Sequence, residues 1–94
     1  MKIIILGGGS IGGSVATELS TEDNDIVVID NNEANLEPLK SKEGIKTVLG
    51  NATSPNTLSK SNLDENSLLL CLTDSEEINL LASIIAHAKF DVKK

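Results

Sequence analysis

The stretch Lys2-Ile3-Ile4-Ile5-Leu6-Gly7-Gly8-Gly9-Ser10-Ile11-Gly12 decides how the rest of the chain is read. Four apolar residues run directly into glycines spaced G-x-G-x-x-G, filled by Gly7, Gly9 and Gly12. A buried strand that enters such a turn and leaves it as a helix is the opening of a dinucleotide-binding unit. Gly7 allows the sharp turn off the strand. Gly9 keeps a Cβ away from an approaching pyrophosphate, and Gly12 allows the helix to pack close to the sheet. The first N–H groups of that helix have no carbonyl partner, so an anion suits them.

Outward from the turn, strand and helix signals alternate. Ser10 to Ser20 is helical in pattern, with Ile11, Val15, Ala16 and Leu19 on one face, and polar Thr21 to Asn24 breaks it. Ile26-Val27-Val28-Ile29 is a second β-branched strand ending at Asp30. That places a carboxylate about 20 residues past the glycines, where adenosine ribose hydroxyls are held. The same carboxylate repels a 2′-phosphate, and the chain has no Arg to receive one, so NADP is disfavoured.

Asn31-Asn32 caps a helix over Glu33 to Lys42 that Pro38 should shorten or kink, with Leu36 and Leu39 facing the sheet. Lys46 to Leu49 is strand three. Ser54 and Pro55 then form an N-cap and first helical residue, predicting a short helix over Pro55 to Lys60. The loop Gly50 to Thr53 leaves the carboxyl end of a strand, the edge where ligands bind, and its small residues suit a flat adenine ring. Leu68 to Leu72 is strand four. Asp74 and Glu77 read as a D-x-x-E capping box for a last helix over about Ser75 to Ala88, with Ile78, Leu81, Ala82 and Ile85 apolar.

This alternation predicts an α/β fold, a Rossmann-like doubly wound parallel sheet in the order 3-2-1-4, with its crevice between strands one and four. Ninety-four residues are enough for one domain. Two complete mononucleotide halves usually need more. Residues 1–94 therefore read as a single nucleotide-binding domain, the N-terminal part of something longer that stops before a fifth strand.

Composition narrows the function. The net charge is −6, every basic residue is Lys, and Phe90 is the only aromatic. A nucleic-acid binder needs a basic stripe or stacking platforms, and neither is present. The single cysteine, Cys71, excludes an internal disulfide and reads as core packing. His87 falls in the last turn of the last helix, where a cation suits the dipole. The opening apolar run is too short for a leader or a membrane span, so the expectation is a cytoplasmic protein with no direct membrane insertion.

Four blocks together resemble the N-terminal nucleotide-binding domain of Trk-type potassium-uptake regulatory subunits, the KTN or RCK domain. They are the glycine run from Lys2, V-V-I-D at Val27 to Asp30, G-N-A-T-S-P at Gly50 to Pro55, and L-C-L-T-D-S-E-E-I-N-L at Leu70 to Leu80. The last is close to the family's T-x-x-D-E-x-N, with Glu76 in place of Asp. The resemblance implies a cytoplasmic, non-catalytic regulator that binds NAD⁺/NADH, or ATP/ADP in the same site. It further implies a homo-oligomer that reports to a membrane potassium-transporter subunit and lies at the inner face of the membrane through it. It places Gly7, Gly9, Ser10, Ile11 and Gly12 in the phosphate loop, with Asp30 on the ribose and Asn31 beside it. Asn51, Ala52 and Thr53 would line the adenine side, and Thr73 would face the ligand's second half. The alternative is the cofactor-binding fragment of an NAD-dependent oxidoreductase, although no acid or base stands out in the chain.

Overall fold

The computed structural model describes residues 1–20 and 23–93. Four parallel strands form one sheet: β1 (Lys2–Leu6), β2 (Asp25–Asp30), β3 (Ile45–Leu49) and β4 (Leu68–Cys71), in the spatial order β3-β2-β1-β4. Helices alternate with them: α1 (Ser10–Leu19), α2 (Glu33–Leu36), α3 (Pro55–Lys60) and α4 (Glu76–Phe90). This is the doubly wound, Rossmann-like order read from the sequence. Of the polar break after α1, Thr21 and Glu22 lie outside the described residues.

Strand β1 sits between two others, and its pleat divides its side chains between two cores. Ile3 and Ile5 pack with Ile26, Val28, Ala16, Leu36 and Leu39 under α1 and α2. Ile4 and Leu6 pack with Val27, Ile29, Leu58, Ala82 and Ala86 under α3 and α4. Ile4, Ile5 and Leu6 are fully buried, and each such side chain contributes about 1.5–3 kcal/mol of transfer free energy. A near-continuous apolar run is what a parallel strand covered on both faces requires.

Several local expectations shift. The helix after β2 is four residues of α2 followed by a 3₁₀ turn over Glu37–Leu39 that contains Pro38. The proline lacks the N–H that a longer helix would use, so the segment ends short of Lys42. Ile11 and Leu81 were expected on buried helix faces, yet both are exposed. Small residues fill those contacts instead, Gly12 and Ala16 in α1 and Ala82 and Ala86 in α4. The N-cap of α4 is Ser75, whose Oγ accepts from the Ile78 N–H at 3.2 Å, and Asp74 stands one residue outside the cap. Where a fifth strand was expected to begin, α4 continues to Phe90. Asp91 then turns left-handed (φ 58°), and the Val92 side chain is buried in the α3–α4 core. None of the described helices is long and apolar enough to cross a membrane.

Candidate functional site

Parallel pairing in register brings the carboxyl ends of all four strands to one edge. Leu6 lies beside Ile29 and Cys71, and Asp30 lies beside Leu49. The turns that follow are held to their neighbours by continuing the ladder. Gly7 N–H donates to Ile29 O (2.7 Å), Leu72 N–H to Leu6 O (2.9 Å) and Gly50 N–H to Asp30 O (3.0 Å). These turns wall a cleft of about 450 Å³.

The β1–α1 turn forms its floor. Gly7 adopts φ +105°, which side chains rarely do, and a Cβ there would stand 2.8 Å from Leu72 O. A Cβ on Gly12 would fall 1.7 Å from Gly7 O, so only glycine lets α1 approach the turn this closely. Gly9 is different: a Cβ there would meet nothing within 4 Å, because the position opens into the cleft.

Gly9 is also the N-cap of α1, and no side chain caps that helix. The other three α-helices among the described residues are capped, by Asn32, Ser54 and Ser75. The first turn of α1 carries no acidic residue, and the first N–H to bond back is that of Gly13, to Gly9 O at 2.8 Å. Donors and positive dipole end therefore face the cleft unmatched.

Asp30 closes the β2 side. Its Oδ2 accepts from the Gly8 N–H (2.7 Å) and Asn35 Nδ2 (3.1 Å), and its Oδ1 from the Asn32 N–H (2.8 Å). A carboxylate offers about four lone-pair positions, so one acceptor position, on Oδ1, is left for a ligand. On the β4 side Thr73 is held by Asn79. The Thr73 N–H (3.1 Å) and hydroxyl (2.6 Å) both donate to Asn79 Oδ1, and Asn79 Nδ2 donates back to Thr73 O (3.1 Å). This clasp commits the donors of Thr73 internally.

Most of the residues singled out from the sequence line this cleft: Gly7, Gly9, Ser10, Ile11, Asp30, Asn31, Asn51, Ala52 and Thr73. Gly12 and Thr53 do not. Gly12 sits behind the turn, and Thr53 supports Asn51, to whose Oδ1 both its N–H (2.9 Å) and its hydroxyl (2.8 Å) donate. Sequence reasoning missed Asn35, which reaches Asp30 from one turn into α2, and Leu72, Asp74 and Ile78 on the β4 side. The lining carries two carboxylates, Asp30 and Asp74, and no Lys, Arg or His. An anion bound here meets no cationic side chain, only backbone N–H groups, the α1 dipole and neutral donors such as the Ser10 hydroxyl and the Asn31 amide. That donor set fits a diphosphate bridging two esters, and Asp30 beside it fits a ribose diol.

Cys71 lies in β4 against the α3–α4 core, and burial pushes its thiol up from the ordinary value. Among the described residues no group of acidic, Cys and His side chains could hold a metal ion.

Residues 3–94 match the family model described as the TrkA-N domain. The chain is 38% identical over 90 residues to the Trk system potassium uptake protein TrkA of Halomonas elongata, covering 96% of this chain and 20% of that protein. It is 37% identical to the protein of the same name from Vibrio alginolyticus, covering 97% and 20%. With the Mycobacterium tuberculosis protein of that name it shares 29% identity over its whole length, covering 42% of that protein. The chain thus spans about a fifth of the length of the relatives at 37–38% identity. By its match over nearly every residue, the chain belongs to the TrkA-N domain family.

Proposed function

We propose that residues 1–94 form one regulatory nucleotide-binding domain that takes NAD⁺/NADH or, in the same site, ATP/ADP, and catalyses no reaction. The observation that carries this reading is the pairing of an uncapped α1 amino terminus with the open acceptor of Asp30 across one cleft. Gly7, Gly9, Ser10, Ile11 and Gly12 make the phosphate loop. Asp30 takes a ribose hydroxyl with Asn31 beside it. Asn51 and Ala52 form the adenine side, with Thr53 holding Asn51 in place, and Thr73 shapes the far half. Of the two carboxylates in the lining, Asp30 is engaged by three donors from the protein itself, which supports a binding role for it.

In the longer protein the bound state reaches a membrane potassium-transporter subunit. The relatives' names support that partner, and the reading places the assembly in the cytoplasm as a homo-oligomer at the inner membrane face. The cleft touches turns from all four strands and both helical layers. A ligand that binds one arrangement of those layers better shifts their populations, and that difference is the signal.

The test is titration calorimetry with NAD⁺, NADH, ADP and ATP on wild type and Asp30→Ala. Binding should weaken about tenfold or more in the variant, since a hydrogen bond to a charged group is worth on the order of 1.5–3 kcal/mol. Absence of binding by all four nucleotides would refute the reading. Affinities within twofold of wild type in Asp30→Ala would refute the ribose assignment.

A further inference from the structure

The start of α4 carries a carboxylate that the helix does not use as its cap. Ser75 caps the helix, so Asp74 has no capping role, and its carboxylate accepts no hydrogen bond from any described residue. Asp74 is exposed and lines the cleft. Its neighbour Thr73 has spent its N–H and hydroxyl on Asn79. On the β4 side, then, the cleft presents one negative charge and no cationic side chain.

Strand order fixes what that charge meets. Asp30 ends β2 and Asp74 follows β4, on opposite sides of β1 and its phosphate turn. A nucleotide whose ribose is held at Asp30 and whose first phosphate lies on α1 extends beyond that phosphate toward β4. For ADP or ATP the extension is more phosphate, which Asp74 repels. NAD⁺ shares the second phosphate, there a diester with a single charge, and continues through a ribose to a cationic nicotinamide ring, which Asp74 attracts; reduction to NADH removes that cation.

Resting on the nucleotide-binding reading above, we infer that Asp74 is a specificity-determining residue that selects the oxidised dinucleotide over its reduced form and over adenosine di- and triphosphates. Asp30 apart, Asp74 is the only charged side chain of the lining. Asp30 acts on the half that all four ligands share.

The experiment is calorimetry with the same four ligands, in low-salt buffer free of divalent cations, on wild type, Asp74→Asn and Asp74→Lys. Wild type should bind NAD⁺ more tightly than NADH or ATP. In Asp74→Asn the NAD⁺-to-ATP affinity ratio should fall about three- to tenfold, further in Asp74→Lys, and the effect should shrink as salt rises. Ratios within twofold of wild type in both variants overturn the inference, and they overturn it alone if Asp30→Ala still weakens every ligand. Failure of wild type to bind any of the four overturns it together with the reading it rests on.

Discussion

The backbone N–H of Gly8 donates to Oδ2 of Asp30 over 2.7 Å, fastening the glycine turn to the end of the neighbouring strand. The carboxylate at the ligand edge is therefore also a structural latch, with Asn32 and Asn35 as its other donors. These two roles can be separated by substitution.

Asp30→Asn removes the charge and turns an amide donor toward donors. It should destabilise the fold by about 1–3 kcal/mol and lower nucleotide affinity about tenfold or more. Asn35→Ala removes one donor to Oδ2 and leaves the open position on Oδ1 untouched. It should cost roughly 0.5–1.5 kcal/mol of stability and change affinity less than threefold. Urea unfolding and calorimetry on both variants check this; equal affinity losses would contradict the division of labour between the two oxygens.

The second and third glycines of the pattern, Gly9 and Gly12, should fail in opposite ways. Gly12→Ala drives a Cβ into the Gly7 carbonyl, and the unfolding free energy should drop by about 3 kcal/mol or more, despite alanine's better helix propensity. Gly9→Ala meets open space, so stability should stay within about 1 kcal/mol of wild type. Its methyl group intrudes on the ligand, with a loss of roughly tenfold in affinity. Melting curves with and without NAD⁺ separate the two.

Asn79→Ala undoes the clasp on Thr73 and should cost about 1–3 kcal/mol. Asn79→Asp keeps an acceptor for the Thr73 N–H and hydroxyl, loses only the donor to Thr73 O, and should lie between wild type and Asn79→Ala in chemical denaturation. An Asn79→Asp variant weaker than Asn79→Ala would show that the added charge outweighs the retained bonds.

At the opposite edge of the sheet, Lys2 Nζ donates to Asp64 Oδ2 at 2.9 Å, and this bond, with the Asn66 N–H, holds the Asp64 carboxyl below its ordinary value. A carboxyl with a depressed folded-state pKa contributes stability at pH above its unfolded value, lost as pH falls through the folded one. Stability should therefore decline between about pH 4 and the acid limit more steeply in wild type than in Lys2→Met, which lacks the pair. Urea midpoints measured from pH 6 to pH 2 test this, and parallel profiles would rule it out.

The fold was legible because β1, β2 and β4 are built on apolar runs bounded by turn residues, and because Ser54-Pro55 and Asn32 announce helix starts in composition alone. Periodicity failed at Ile11 and Leu81 for a physical reason. A helix flush against a sheet buries a narrow strip, and here glycine and alanine occupy it, so larger apolar neighbours on the flanks remain exposed. Asp74 was misread because Asp and Ser are both good caps one residue apart, and only the backbone decides between them (Ser75 φ −112°, ψ 114°). The phosphate turn and Asp30 could be read from spacing. Asn35 and Leu72 could not, since nothing in their own segments marks them, and only strand order brings them to the cleft.

Strand β1 gives its odd side chains to one helical layer and its even ones to the other, and the ligand turn grows directly from its end. Such a turn has no slack of its own. A displacement at Gly7 therefore bears on both layers at once, through Ile5 on one side of the sheet and Leu6 on the other. The floor of the cleft and the two helical layers thus share one anchor, and a substitution that shifts β1 is felt in all three.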